Sequence, residues 1–360
     1  MRVVISAGGS GGHIYPALAI INKIKELEPK SEFLYIGTHN RMEKDIIPKY
    51  NIPFESIEIY GFNRKNPFKN IKVLHKFFKA IKKSKKLIKE FNPDVVIGVG
   101  GYVTGPVLYA GHKLGYKTFI HEQNSLPGKA NIFISKFADK IALSFKSSEE
   151  FFDKNKTVFT GNPCSENAES IKPCKLEEFN LDKSKKTVLF VMGSLGSSKI
   201  NDFLVKTMKS FKDKDYQIVF VTGNNYYEDV NKNKFSSNVH VFPYIENMPR
   251  LMKKVDIMVT RAGASTLSEI ISINVPSILI PSPYVAENHQ YKNALDLINN
   301  DAAIMIEEKD LDKDILVNKI DELINDDKKL ESIKNNLKKM YIKDSATKIY
   351  NELKKLIDRK

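Results

Sequence analysis

A strand, a glycine turn and a helix open this chain at Arg2–Pro16, and the same succession returns at Thr187–Leu204. Around these openings, short runs rich in β-branched residues alternate with segments of helical period. The first half carries such runs at Arg2–Ser6, Glu32–Gly37, Asp94–Gly98, Lys117–His121, Lys140–Leu143 and Thr157–Thr160. The second carries them at Thr187–Met192, Gln217–Thr222, Val239–Phe242, Asp256–Thr260, Ser277–Ile280 and Ala302–Ile306. Strand–helix alternation of this kind builds parallel sheets covered by helices on both faces. Runs such as VLFVM and QIVFV are apolar almost throughout, as doubly covered strands are. The expected class is α/β, with two doubly wound, Rossmann-like domains facing a cleft. Ser165–Lys186 is polar, holds Pro173 and lacks clear periodicity, which sets the boundary near Pro163 and the domains at 1–162 and 163–343. Ile349, Leu353, Leu356 and Ile357 recur at helical spacing, so 344–360 reads as a terminal helix able to pack on either domain.

Composition removes other classes. With 42% hydrophobic and 28% charged residues in 360, the chain is neither disordered, collagenous nor a coiled-coil rod. No apolar run approaches the roughly 18 residues of a membrane span. The opening residues read as a strand, so no secretory signal is expected. Two cysteines, Cys164 and Cys174, make neither a disulfide framework nor a metal set, which suits the cytoplasm. A net charge of +14 suggests an anionic partner: nucleic acid, acidic lipid or a phosphorylated substrate. General richness in Lys, Asn and Ile would give the same excess, so the distribution of charge matters more.

Glycine-rich turns stand at several predicted strand ends. Gly8-Gly9-Ser10-Gly11-Gly12-His13 follows the first strand, with a helix expected from about Tyr15. Such a turn brings backbone N–H groups and a helix N-terminus up to an anion. It is neither a G-x-G-x-x-G dinucleotide fingerprint nor a P-loop, and no acidic residue closes strand two. A plain tight turn is the alternative. His13, at its lip, is a candidate general base or a helix-start histidine bonding backbone. Gly98–Pro106, with Gly101, Tyr102 and Thr104, and His121-Glu122-Gln123-Asn124 follow later strands, where ligands bind in open α/β sheets. In the second half, Met192-Gly193-Ser194-Leu195-Gly196-Ser197 is another anion-type turn. Ala264, Ser265, Thr266, Leu267 and Ser268 open a helix able to hold a diphosphate, and Glu269 could accept ribose hydroxyls. In Pro281–Asn293, His289 and Gln290 are candidates for sugar hydroxyls; a solvated loop is the alternative.

Between Arg64 and Lys89 stand eleven Lys and Arg residues and no acid. Phe68, Ile71, Leu74, Phe78 and Ile81 fall on one helical face of the same stretch. A basic amphipathic helix of this kind suits an anionic membrane surface, at about 1 kcal/mol per basic residue. A domain core with a solvated basic back gives the same pattern. No base-stacking aromatic pattern supports a nucleic-acid partner.

Together these motifs resemble the bacterial cell-wall glycosyltransferase family MurG, in order along nearly the whole chain: GGSGGHIYPALA, GVGGYVTGP, HEQNSLPGKAN, FTGNP, the GSLGS turn, YIENM, RAGASTLSE and ENHQYKNA. The resemblance implies the two-domain GT-B architecture and an inverting, metal-independent enzyme without cofactor. Its reaction would be transfer of N-acetylglucosamine (GlcNAc) from UDP-GlcNAc to the muramoyl 4-hydroxyl of lipid I, giving lipid II for peptidoglycan. It also implies that the C-terminal helix returns to the first domain and that the enzyme works as a peripheral protein on the cytoplasmic side of the cell membrane. Residue by residue, it makes His13 the essential histidine, and Gly101, Tyr102 and Thr104 the acceptor side. It assigns Ser10, Gly11 and Gly12 of the first glycine loop, with Asn124, Ser165, Ser194, Ile245, Ala264–Glu269, His289 and Gln290, to the donor. Three positions depart from the family pattern. Ser165 stands where arginine is usual, Leu195 replaces a glutamine, and His289 replaces the first of two glutamines. Arg261 or a lysine is then the candidate substitute cation. Asp213-Lys214-Asp215 is a D-x-D pattern, which holds a metal in another glycosyltransferase class. It precedes a strand, so it would sit at the wrong end of the sheet. Related readings are a GT-B lipid glycosyltransferase with a diacylglycerol acceptor and a UDP-GlcNAc 2-epimerase.

Overall fold

The computed structural model describes residues 1–61, 69–193 and 198–358. These fall into two units, 1–166 with 342–360, and 167–341.

In the first unit, β1 (Arg2–Ala7), β2 (Glu32–Thr38), β3 (Phe54–Ile57), β4 (Val95–Gly100), β5 (Lys117–Glu122), β6 (Lys140–Leu143) and β7 (Thr157–Phe159) form a parallel sheet in the order β3-β2-β1-β4-β5-β6-β7. The chain starts mid-sheet, runs to one edge, then crosses back over β1 to lay β4 beside it. Val3, Val4 and Ile5 pair with Val95, Val96 and Ile97. That reversal opens a crevice at the carboxyl ends of β1 and β4, where connections leave in opposite directions. β3 went unread in the sequence because FESI is a short edge strand with only Ile57 buried.

The helices of this unit are α1 (Gly11–Leu27), α2 (Glu43–Ile46), α3 (Lys69–Phe91), α4 (Thr104–Lys113), α5 (Lys129–Ile134) and α6 (Pro163–Ser170). Alternate strand residues serve opposite layers. Val3, Ile5 and Ala7 join Ile14, Ala17, Ile21 and Ile24 of α1. Val4, Ile36 and Val96 join Ala80 and Ile88 of α3 and Val107 and Leu108 of α4. Both strand faces are therefore covered, which is why these strands are apolar throughout. Each such side chain contributes about 1.5–3 kcal/mol on burial. The division falls after Glu166, inside α6, which Pro163 opens.

In the second unit, β8 (Thr187–Val191), β9 (Gln217–Val221), β10 (Val239–Phe242), β11 (Ile257–Thr260), β12 (Ser277–Leu279) and β13 (Ile304–Met305) repeat the design. Their order, β10-β9-β8-β11-β12-β13, puts the reversal between β8 and β11. The helices are α7 (Ser198–Met208), α8 (Tyr227–Asn231), α9 (Pro249–Met252), α10 (Ala264–Ile273), α11 (His289–Ile298), α12 (Lys313–Ile324) and α13 (Asp327–Met340).

The last helix, α14 (Ser345–Asp358), belongs to the first unit. Ile349, Leu353 and Leu356 enter the α1 layer. Glu28 ties the layer together, accepting from Tyr350 Oη at 2.8 Å and meeting Lys354 Nζ and the N-terminal ammonium at 3.1 Å each. Burial acts to raise the Glu28 carboxyl, but these partners outweigh it and hold it at about 2. Among the described residues, no helix is long and apolar enough to cross a membrane.

Candidate active site

At the first reversal point, the loops after β1 and β4 are fastened to each other. The Gly8 N–H donates to Gly100 O at 3.1 Å, and the buried Tyr35 hydroxyl donates to Ala7 O at 2.9 Å. α1 starts at Gly11, earlier than the expected Tyr15. Its N-cap Ser10 is extended and makes no side-chain cap bond, while the N–H groups of His13 and Ile14 return to Ser10 O. The reading of the whole loop as an anion cradle is corrected here. Gly8 N–H is taken by Gly100, and Gly9 N–H donates to a Glu43 carboxylate oxygen at 3.1 Å. The start of α1 remains, where the N–H groups of Gly11 and Gly12 lie beyond the reach of intrahelical acceptors.

His13 is half-buried at this helix start. Its Nδ1 lies 2.9 Å from Gly8 O and 3.3 Å from Ser10 Oγ. A carbonyl only accepts, so Nδ1 carries the proton and Nε2 holds the lone pair of the neutral ring. Tyr102, on the β4 loop, has 62% of its surface exposed. Thr104 differs from expectation: it is fully buried, and its hydroxyl donates to Gly101 O at 2.7 Å as part of the α4 start.

The β5 end was read as four polar side chains lining the site. His121, Glu122 and Gln123 are instead buried, and Asn124 is half-buried. Glu122 organises the turn, accepting from Asn124 N (2.9 Å), Asn124 Nδ2 (3.2 Å), Gly128 N (3.1 Å) and Asn131 Nδ2 (2.9 Å). Burial pushes its carboxyl above the usual range. Burial drives His121 down to about 4, so it is neutral at pH 7, with Nε2 3.1 Å from Ser144 Oγ.

In the second unit, α10 begins at the carboxyl end of β11. Gly263 is its extended N-cap and provides no side-chain cap. Ser265 Oγ is buried without a hydrogen-bond partner among the described residues. Leu267 is fully buried, and the Ser268 hydroxyl donates to Ala264 O at 2.8 Å, so neither side chain is presented to a ligand. Glu269 is half-buried, and burial pushes its carboxyl up to about 7. Ile245 is buried, whereas His289 and Gln290 are half-buried, with Gln290 Oε1 accepting from Ser282 N at 2.8 Å. Ser194, Leu195, Gly196 and Ser197 lie outside the described residues.

Two positions weighed for the diphosphate are engaged within the protein. Ser165 belongs to the first unit and is buried, with its hydroxyl donating to Asn162 O at 2.7 Å and lying 3.2 Å from Ser345 Oγ. Arg261 is buried and engaged: its guanidinium meets Glu308 at 2.8 Å and donates to Ile280 O at 3.1 Å. Asp213 and Asp215 are exposed at the amino end of β9, away from the strand ends that carry the other candidates. Asp312 caps α12 through the Asp314 N–H at 2.8 Å.

The basic stretch forms α3. Its apolar side divides along the helix: Ala80, Ile81 and Ile88 are buried, while Ile71, Leu74 and Phe78 are 70%, 46% and 62% exposed. Phe77 packs against the core. Lys76 meets Glu58 at 2.5 Å, Lys83 reaches Ser56 O at 2.7 Å, and Lys79, Lys82 and Lys89 are exposed. Arg64, Lys65, Phe68 and the Lys72 side chain lie outside what is described.

Glu43 carried no signal in the sequence. It stands in RMEKD, which reads as a solvated helix start, yet its side chain is wholly buried beneath the first glycine loop.

The N-terminal domain model of glycosyltransferase family 28 matches residues 3–143, and the C-terminal domain model matches residues 187–349. A Bacillus pumilus protein named UDP-N-acetylglucosamine–N-acetylmuramyl-(pentapeptide) pyrophosphoryl-undecaprenol N-acetylglucosamine transferase is 47% identical, with 99% of each chain covered. The Bacillus subtilis protein of the same name is 45% identical, again over 99% of each. Among solved structures, MurG of Acinetobacter baumannii superposes with a TM-score of 0.80 at 26% identity, covering 98% of this chain and 99% of that one. UDP-GlcNAc 2-epimerase of Methanocaldococcus jannaschii shares the fold at 15% identity and a TM-score of 0.66, covering 99% and 100%. The paired glycine loops, the doubled parallel sheet and these full-length matches have one conclusion: the chain belongs to glycosyltransferase family 28, in its MurG group.

Proposed function

We infer that this chain transfers GlcNAc from UDP-GlcNAc to the muramoyl 4-hydroxyl of lipid I, producing lipid II. The observation that carries this reading is the match along the whole chain, at 47% identity, to a protein named for that transfer. The first unit takes the acceptor, with Tyr102 at its binding surface. His13 Nε2 removes the proton of the attacking hydroxyl. Attack on the anomeric carbon from the face opposite UDP inverts the configuration there. The second unit takes the donor, with Glu269 toward the ribose hydroxyls and the first N–H groups of α10 toward the diphosphate. Those groups, together with the helix dipole, stabilise the charge that develops on departing UDP without a metal ion. The uncapped start of α10 and the unpartnered Ser265 hydroxyl support this placement.

The exposed Ile71, Leu74 and Phe78, set among the cations of α3, supply a docking face for an anionic bilayer, where a polyprenyl-linked acceptor resides. The enzyme then acts as a peripheral membrane protein from the cytoplasmic side.

The direct test is a transfer assay with labelled UDP-GlcNAc and a lipid I analogue. Acceptor-dependent UDP release, label transfer to the lipid and persistence in EDTA are expected. Epimerisation or UDP release without acceptor would replace this reading. Loss in EDTA restored by Mg²⁺ would overturn its metal-free part.

A further inference from the structure

We propose that Glu43 is a positioning residue for His13, acting through the single peptide group that joins Gly8 to Gly9. This rests on the reading of His13 as the base. The two halves of that peptide group are bonded in opposite directions. Its N–H, on Gly9, donates to Glu43 Oε2 at 3.1 Å, and its C=O, on Gly8, accepts from His13 Nδ1 at 2.9 Å. The bond is trans, so the carboxylate and the imidazole lie on opposite sides of one planar, resonant unit.

The carboxylate itself is fixed. Glu43 is fully buried, and its Oε1 accepts the Thr38 N–H at 2.9 Å and the Thr38 hydroxyl at 2.6 Å. All three partners are donors, so Glu43 acts here only as an acceptor. Gly8 leaves room for it: a Cβ on Gly8 would stand 2.4 Å from Glu43 Oε1. Tyr35 is the titratable neighbour from β2. Its burial, with the charge of Glu43, raises its phenol well above the ordinary value, and its hydroxyl donates to Ala7 O. The Tyr35 phenol is therefore neutral, and the Glu43 carboxyl oxygens are the acceptors that act on this peptide.

The physical consequence follows from cooperativity between hydrogen bonds. A carboxyl oxygen accepting at the N–H end favours the charge-separated resonance form of the amide, which increases negative charge on Gly8 O. That oxygen then holds the Nδ1 proton more firmly, selects the tautomer with the lone pair on Nε2, and stabilises the imidazolium formed when Nε2 takes a proton. The arrangement does for His13 what a directly bonded carboxylate does for other catalytic histidines, with a peptide group in between.

The test compares Glu43→Gln, Glu43→Asp and Thr38→Val in the full-length enzyme, using UDP-GlcNAc and a soluble lipid I analogue. It is joined to ¹⁵N-histidine NMR, with the His13 signals assigned by their loss in His13→Gln. Glutamine offers one acceptor oxygen and brings an unwanted donor. Glu43→Gln is therefore expected to lower kcat by about 10- to 100-fold, with KM for UDP-GlcNAc within about twofold. The acidic limb of kcat/KM should move to lower pH, and the neutral His13 ring should lose its preference for the Nδ1–H tautomer. Glu43→Asp, which keeps the charge one methylene short, should fall between. Thr38→Val removes one prop of the carboxylate but leaves the Gly9 bond, and should lose less than Glu43→Gln. An unchanged tautomer and acidic limb in Glu43→Gln would overturn the proposal, as would a Thr38→Val loss equal to that of Glu43→Gln. The NMR readout needs no turnover, so it tests the relay even if His13→Gln proves active and the base assignment itself fails.

Discussion

The imidazole of His13 lies directly over the α-carbon of Gly100. A Cβ built on Gly100 would stand 2.5 Å from His13 Cδ2 and 2.8 Å from Nε2, at a backbone φ of +126° that side-chain-bearing residues rarely adopt. The β4 loop thus bounds the position of the ring at Gly100. Gly100→Ala should displace the imidazole and lower kcat by roughly 100-fold, the scale expected for a misplacement of about 1 Å. UDP affinity, measured by calorimetry, should change little, because the uridine and diphosphate contacts are proposed for α10 in the second unit. A variant with wild-type kcat would separate His13 from the chemistry.

Glu269 gives the donor site a pH dependence. Its carboxyl is raised from 4.5 to about 7 by burial, so it is largely protonated at pH 6 and ionised at pH 8. Two ribose hydroxyls are best accepted by the carboxylate, so UDP affinity should rise across that interval. Glu269→Gln should flatten the rise and weaken binding at pH 8 by about 1–3 kcal/mol. Ionising the group costs the folded state more than the unfolded one. Its contribution to stability is therefore greatest below pH 4.5 and is lost as pH rises toward 7. Above pH 7 the glutamine variant should melt at the higher temperature. Parallel pH profiles of UDP affinity in the two proteins would remove Glu269 from the ribose site.

The exposed face of α3 can be tested without touching its charges. Ile71→Ser, Leu74→Ser and Phe78→Ser combined should reduce binding to vesicles rich in anionic lipid. Turnover on long-chain lipid acceptor should slow, and turnover on a short-chain soluble one should be spared. Rising salt should release the wild-type protein, since the remaining attraction is between cations and a charged surface. Equal losses on both acceptors would make the face part of the catalytic unit instead.

Glu28 gives the α14 contact an acid limit. Its carboxyl lies near 2 in the folded chain and 4.5 as reference, so its stabilisation is complete above pH 4.5 and is lost as pH falls toward 2. Glu28→Gln should reduce the melting temperature at pH 7 and shrink the difference from wild type as pH approaches 3. A difference that persists undiminished at pH 3 would show that packing of Ile349 and Leu353, and not this charge, fastens the helix.

The sequence by itself determined every described strand but β3 and their parallel pairing into two sheets. These depend on local signals: apolar runs covered on both faces, glycines where chains turn, and motifs at fixed positions after strands. It also marked His13, Tyr102 and the start of α10. Direction and burial were decided only by tertiary structure, because they depend on what other segments bring. Thr104 looked like a ligand contact and became a buried helix-start hydroxyl. Ser165 filled an expected cation position and turned inward toward Ser345, 180 residues away in the chain. The stripe on α3 has one period, yet its C-terminal half is core and Ile71, Leu74 and Phe78 are surface, because the helix outruns the layer that covers it. Glu43 is the sharpest case. Nothing local distinguishes it from a solvated carboxylate, and only the approach of β1, β2 and α2 encloses it against Gly9 and Thr38. A buried charge exists only where distant chain segments supply its donors, and a linear pattern does not record that condition.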